Sequence, residues 1–364
     1  MELIRKSNLP LYVQIRNQLK QKIMNGEFKP LDFIPTEQEL CEDFGVSLIT
    51  VRQALKDLVN EGLLCRVPRR GTYVTEFNSK EIKQKRIGII MRSAKPSESF
   101  FLTETLRGVE NANDGCQVIL AGTATDSAQF IKILEKADVD GLLLVALDPI
   151  LGRRGSAVLK DMIKMPFALL YTHIYEPDIY TVFTDLRRST AEVTDHLVGL
   201  GHTRIAFING MEASQGDMER LEGYRLSLEK HGIRFDESLV LWDQYDTNNT
   251  SVAVDQLLKL TGPPTAIIAS EDETAVEAIK TLKVHGLSVP KDMAVVGHND
   301  SYVAKMMNPQ ITTVSEPLFE TGRRATWLLR NLMDGLEAEE HQIILPTKLV
   351  VRESCGAGLG AVTV

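Results

Sequence analysis

In this 364-residue chain, residues able to recognise a polar small molecule recur just beyond short apolar runs. Phe100 and Phe101 follow IGIIM (87–91), Asp185 follows VFT, and Arg220 lies in the segment after IAFING. Trp242 and Tyr245 follow LVL, Glu271 and Asp272 follow AIIAS, and His298-Asn299-Asp300 follow AVVG. Aromatic faces combined with carboxylates, an amide and a guanidinium suit a hydroxylated molecule, whose apolar face stacks while its hydroxyls are fixed by hydrogen bonds. Singly, each residue has a plainer role: aromatics fill cores, and Asp185 can cap a helix. Six such groups at equivalent strand ends argue for a site. Catalysis lacks its usual parts, since there is no G-x-S-x-G, P-loop or H-E-x-x-H and the seven histidines are dispersed. Cys41, Cys65, Cys116 and Cys355 form no C-x-x-C pair, so neither a disulfide framework nor a zinc ribbon is expected. We therefore expect no enzyme, no cofactor and no metal.

The elements that must carry these residues alternate between strand and helix. IGIIM, VILA (118–121), GLLLV (141–145), FALLY (167–171), IAFI (205–208), AIIA (266–269) and AVVG (294–297) are continuous apolar runs separated by helical stretches. Such runs imply α/β structure with parallel sheets buried on both faces. More than six units in about 280 residues suggest two lobes. Ligands in such sheets bind beyond the carboxyl ends of the strands, so a cleft between the lobes is the expected site.

The first 86 residues differ. They carry 15 Lys+Arg and 11 Asp+Glu, net +4, whereas the remainder is net −12. Leu11, Ile15, Leu19 and Ile23 mark one amphipathic helix; Thr36-Glu37-Gln38-Glu39 is a capping box that opens a second. After Gly45, Ser47 can cap a third helix with Val51, Leu55 and Leu58 on its apolar face, and Gly62 stops it. Two short helices about a glycine turn form a helix-turn-helix. Leu63–Val67 and Thr72–Val74 then flank Pro68-Arg69-Arg70-Gly71, a hairpin with two arginines at its tip, suited to phosphate or minor-groove contact. The polar stretch NSKEIKQKR that follows reads as a tether.

The segments PLYVQI, IMNGEFKP, IPTEQEL, FGVSLITVRQALKDLVNEGLL and RRGTYV resemble, in order and spacing, the GntR-family winged helix-turn-helix. The resemblance implies that the third helix enters the major groove, with Ser47, Thr50 and Arg52 as polar contacts and Arg70 and Gly71 at the wing tip. Two positions depart: the family usually has arginine where Leu48 stands, and some members have arginine where Gln38 stands. Leu48 could lie against a thymine methyl and Gln38 could pair with adenine, or Leu48 could pack back on Val51 and Leu55 and read nothing. Beyond Arg86, LGHTRIAFI, RLEGYRLSL, GLSVPKDMAVVGHND, NPQITTV and LVVRES are similar to the effector domain of the LacI/GalR family. That likeness implies the two-lobed fold of periplasmic sugar-binding proteins. It assigns Arg220 as the effector-binding arginine, Tyr245 as the stacking aromatic with Trp242 nearby, Phe100 and Phe101 as a first-lobe pair, and Glu271 and Asn299 as polar contacts. The family commonly has Asn and Asp at the last two positions, so acid and amide are exchanged, and they are expected to face each other across the cleft. A neutral polyol or a cationic amine would suit them.

The expected organisation is a winged helix-turn-helix over residues 1–76, a linker over 77–86, and an effector-binding and dimerisation domain over 87–364. The architecture is similar to the arabinose-repressor type of bacterial regulator. It implies a ligand-responsive transcription regulator, most simply a repressor of carbohydrate-utilisation genes. Alternatives are a sensor of an amine-bearing or purine-like ligand, an activator, or, remotely, a binding protein without operator function. Expected partners are operator DNA, a small sugar effector and a second copy of the chain, joined through the helices around Thr103–Asn113 and Phe319–Met333. With no apolar leader or membrane-length run, the expected location is the cytoplasm.

Overall fold

The computed structural model describes residues 10–67, 70–75, 84–92, 99–113, 115–147, 150, 155–336, 338 and 340–358. The chain divides into two compact units, Met1–Gln84 and Lys85–Val364. Most of the tether, and Arg69, lie outside the described residues.

The first unit has helices α1 (Leu11–Met24), α2 (Glu37–Phe44) and α3 (Leu48–Asn60), then the antiparallel hairpin β1 (Leu64–Val67) and β2 (Gly71–Val74). The expected caps are present. Glu39 N–H donates to Thr36 Oγ1 at 3.3 Å and Thr36 N–H returns a bond to Glu39 Oε2 at 2.7 Å, closing the capping box on α2. Ser47 caps α3 by accepting from Thr50 N–H at 3.4 Å. The apolar stripes converge on one core that includes Ile15, Leu19, Leu40, Phe44, Val51, Leu55, Leu58 and Val74. Thr36→Ala removes one side of the box; we expect the first unit to lose about 1 kcal/mol, read as a lower urea midpoint with unchanged m.

The second unit holds two six-stranded sheets. The first-lobe sheet runs β13 (Gln342–Leu345), β7 (Thr181–Thr184), β6 (Phe167–Leu170), β5 (Gly141–Val145), β3 (Arg86–Arg92), β4 (Gln117–Ala124), all parallel. The second-lobe sheet runs β14 (Lys348–Val350), β12 (Thr312–Ser315), β11 (Ala294–His298), β10 (Ala266–Ala269), β8 (Ile205–Asn209), β9 (Val240–Trp242); only β14 is antiparallel. The runs GLLLV, IAFI, AIIA and AVVG are buried throughout, as two-faced coverage requires. VILA differs. It lies in β4 at the sheet edge, where Leu120 is 60% exposed. The chain crosses between lobes three times, after β7, after β12 and after β13.

The helix α4 (Ser99–Ala112) packs against the helix Leu318–Met333 within the chain. Their axes approach at Gly108 and Gly322: a Cβ on Gly108 would lie 2.0 Å from the Phe319 carbonyl oxygen, and one on Gly322 2.1 Å from that of Thr105. These are the two helices expected to form a dimer surface. One face of each is thus already used internally, leaving only their outer faces for a second copy.

Candidate functional site

In the first unit, Gln38 is exposed on α2, and Ser47, Leu48 and Arg52 are exposed at the start of α3 with Thr50 half-buried. Arg70 and Gly71 are exposed at the hairpin tip. Leu48 does not pack back: it is 40% exposed and lies outside the core that holds Val51 and Leu55. Arg52 is held by Glu37, Nε to Oε2 at 2.9 Å, and Glu37 Oε1 also takes Arg66.

In the second unit, a cleft of about 1000 Å³, counting its open mouth, lies between the carboxyl ends of the two sheets. Its first-lobe wall is mostly apolar and aromatic, with Met91, Phe100, Phe101, Val145 and Tyr171. Its second-lobe wall is polar, with Asp217, Arg220, Tyr245, Glu271 and Asn299. Six of the eight expected contacts are therefore brought together: Phe100, Phe101, Arg220, Tyr245, Glu271 and Asn299.

Two expected contacts are corrected. Asp185 does not line the cleft; it sits where the chain first crosses between lobes and caps the helix Leu186–Gly199, accepting from Arg188 N–H at 2.9 Å. Trp242 is half-buried against the second-lobe core and also stays out of the cleft. Its neighbour reaches inward because Tyr245 has φ of 55°, a left-handed turn that swings its ring over Gly210, where any Cβ would lie 2.2 Å from Tyr245 Cζ. A third correction concerns Glu271 and Asn299. They follow the adjacent parallel strands β10 and β11 and stand side by side on one wall, so the exchanged acid and amide do not face each other across the cleft.

Sequence reasoning missed the groups that organise Arg220. The Arg220 Nη1 donates to the Ser270 carbonyl at 3.0 Å, Nε lies 3.7 Å from Asp217 Oδ1, and Nη2 lies 3.7 Å from Glu316 Oε1. Asp217 in turn accepts from Tyr245 OH at 2.6 Å and from Met211 N–H at 2.8 Å. Glu316, at the second crossing, accepts from Thr184 Oγ1 of the first lobe at 2.9 Å and from His298 Nε2 of the second at 2.7 Å. A second buried pair, His173 Nδ1 to Glu219 Oε2 at 3.0 Å, also ties first lobe to second. Asp217 was findable, since it precedes Arg220 by three residues on one helix and so shares its face. His173, His298 and Glu316 meet their partners across 46, 18 and 132 residues (the last to Thr184) and carry no local signal.

Burial alone would raise the Glu316 pKa, but the His298 bond, the nearby Arg220 charge and the Thr184 hydroxyl bring it down to about 2. Burial and the Arg220 guanidinium hold His298 below the ordinary imidazole range. A depressed carboxylate contributes stability that is present above its ordinary 4.5 and lost as pH falls toward 2. Glu316→Gln should therefore be less stable than wild type near neutrality, with the gap narrowing from pH 5 to pH 3 in urea titrations. A gap independent of pH would refute an ionised Glu316 in the folded state.

Comparison with known proteins agrees with this layout. Residues 11–74 match the model of bacterial regulatory proteins of the gntR family, and residues 194–355 match a periplasmic binding protein-like domain. The arabinose metabolism transcriptional repressor of Geobacillus stearothermophilus is 28% identical, over 96% of this chain and 99% of its own. Among solved structures, a transcriptional regulator CelR–cellobiose complex is 28% identical with TM-score 0.67, over 85% of this chain and 91% of that one. The transcription regulator CcpA of Lactococcus lactis is 25% identical with TM-score 0.67, over 75% of this chain and 99% of that one. The chain is thus a ligand-responsive, DNA-binding transcription regulator whose head matches the gntR-family model and whose body is periplasmic-binding-protein-like and similar to LacI-family regulators of known structure.

Proposed function

We propose that the protein is a homodimeric cytoplasmic repressor of carbohydrate-utilisation genes that a small neutral sugar releases from its operator. The observation that carries the ligand class is the pairing of walls in the cleft. On the polar wall, Arg220 Nε and Ser270 Oγ are buried and have no hydrogen-bond partner among the described residues. Opposite them stand Phe100 and Phe101. A pyranose or furanose ring offers hydroxyls to the first and its C–H face to the second. The relative named for arabinose metabolism and the cellobiose complex are in keeping with this class. Arg220, Glu271 and Asn299 bind hydroxyls, Tyr245 stacks, and Phe100 and Phe101 cover the apolar face. Gln38, Ser47, Leu48, Thr50, Arg52 and the wing residues Arg69, Arg70 and Gly71 contact DNA.

In the mechanism we propose, two heads occupy two half-sites and the ligand draws the lobes together, which changes the spacing or freedom of the heads. Unequal affinity for the two states, about 1–3 kcal/mol, suffices for the switch. One observation favours a second reading, an amine-bearing ligand: Asp217, Glu271, Glu273 and Glu316 line the cleft against only Arg92 and Arg220. A thermal-shift screen of the full chain against pentoses, hexoses, sugar phosphates, sugar acids and amino sugars separates the two. A ligand at about 100 times its Kd adds roughly 2.7 kcal/mol. A neutral-sugar hit supports the first reading, amino sugars alone support the second, and no hit in any class removes sugar sensing.

A further inference from the structure

The first turn of α3 carries an apolar pair that the head does not use. Ile49 is 80% exposed and Leu48 40% exposed, and neither belongs to the core of the unit. A single exposed aliphatic residue is ordinary on a protein surface. Two in succession, at the end of the helix that follows the turn of a helix-turn-helix, are placed where base edges are read. The polar side chains of the same turn have partners within the head. Ser47 Oγ and Thr50 Oγ1 are 2.8 Å apart and bonded to each other, and the Arg52 guanidinium is held by Glu37. The same unit exposes basic side chains, Lys56 on α3 and Arg70 at the hairpin tip, besides Arg52 and Arg66, which share Glu37. A basic rim about an apolar centre fits a DNA duplex: phosphates meet the rim, and the only apolar group on a base edge in the major groove, the thymine C5 methyl, meets the centre.

We propose that Leu48 and Ile49 act together as a thymine-methyl reader, taking the methyl groups of two neighbouring base pairs in each half-site. This rests on the operator-binding reading above and goes beyond it by assigning base preference to Ile49 as well as Leu48. Specificity at these positions comes from burying methyl groups rather than from bidentate hydrogen bonds. It is therefore unaffected by salt, whereas the phosphate contacts of the rim weaken steeply with salt.

The test removes the methyl and nothing else. The full chain selects from a randomised duplex pool synthesised with thymine and from a parallel pool with uracil, which pairs identically but lacks the C5 methyl. We expect enriched half-sites with neighbouring T·A pairs in the first pool, and binding to the same sequence about fourfold weaker for each methyl removed, or about 15-fold for the pair. Leu48→Ala/Ile49→Ala should bind the thymine and uracil duplexes alike, with its thermal midpoint confirming that the head is folded. Enrichment that is the same in both pools overturns the methyl reader while leaving operator recognition standing. A methyl effect that survives in the double alanine variant overturns the assignment to these residues. No enrichment in either pool overturns the proposal together with the operator reading on which it rests.

Discussion

Arg220→Ala should hold its operator and fail to release it at any effector concentration that acts on wild type. Among the described residues the guanidinium is the only cationic group of the second-lobe wall, and it stands between Asp217 and Glu316 while bonding the Ser270 carbonyl. Its removal deletes the donor that the ligand would meet and leaves two carboxylates whose charges it had balanced. Loss of one partner from a buried charged set costs binding about 3 kcal/mol, a hundredfold or more in Kd. The thermal shift with the effector should vanish, while the first unit, a separate compact unit of the chain, keeps its DNA affinity. Arg220→Lys should recover little, because an ammonium is a single point charge and cannot bond Ser270 while lying near both carboxylates. Normal release from the operator by Arg220→Ala would show that the effector binds elsewhere.

Gly108→Ala should be among the most destabilising single-methyl changes in the body. The added carbon would lie 2.0 Å from the Phe319 carbonyl oxygen and 2.8 Å from the Arg323 backbone nitrogen, so the obstacle is main chain and cannot rotate away. Separating α4 from its partner helix opens the first-lobe core around Val109, Ala325 and Leu329. Overpacking that forces backbone apart costs about 3 kcal/mol or more, enough to lower the urea midpoint sharply or to leave the protein insoluble. Gly115→Ala is a useful contrast: its φ of 82° strains any side chain, but nothing lies within 4 Å, so the expected loss is about 1 kcal/mol. Equal losses at the two positions would refute a backbone obstacle at the helix crossing.

The local features were legible because their physics is local. The capping box at Thr36 and Glu39 and the Ser47 cap join residues three apart, and their hydrogen bonds form as read. Buried parallel strands announce themselves as continuous apolar runs, since both faces are covered. VILA misled slightly for the same reason: composition reports a strand, and only the tertiary structure leaves Leu120 in solvent. Asp185 is a carboxylate just after a strand, which satisfies a helix cap and a ligand contact equally well. Which one it serves depends on where the next helix points.

From the chain alone came the two-part organisation, the helix-turn-helix and wing, the paired α/β lobes and the strand ends where a ligand would bind, together with six residues that do line one cleft. Tertiary structure decided what those residues do to one another. It put Glu271 beside Asn299 rather than opposite, packed Trp242 against the second-lobe core, and assembled Thr184, His298 and Glu316 from two lobes and a crossing segment. Periodicity and caps are set by neighbours three or four residues away and survive in any window of sequence. The electrostatics of the cleft depend on groups up to 132 residues apart whose distance exists only once both sheets have formed and the chain has crossed between them.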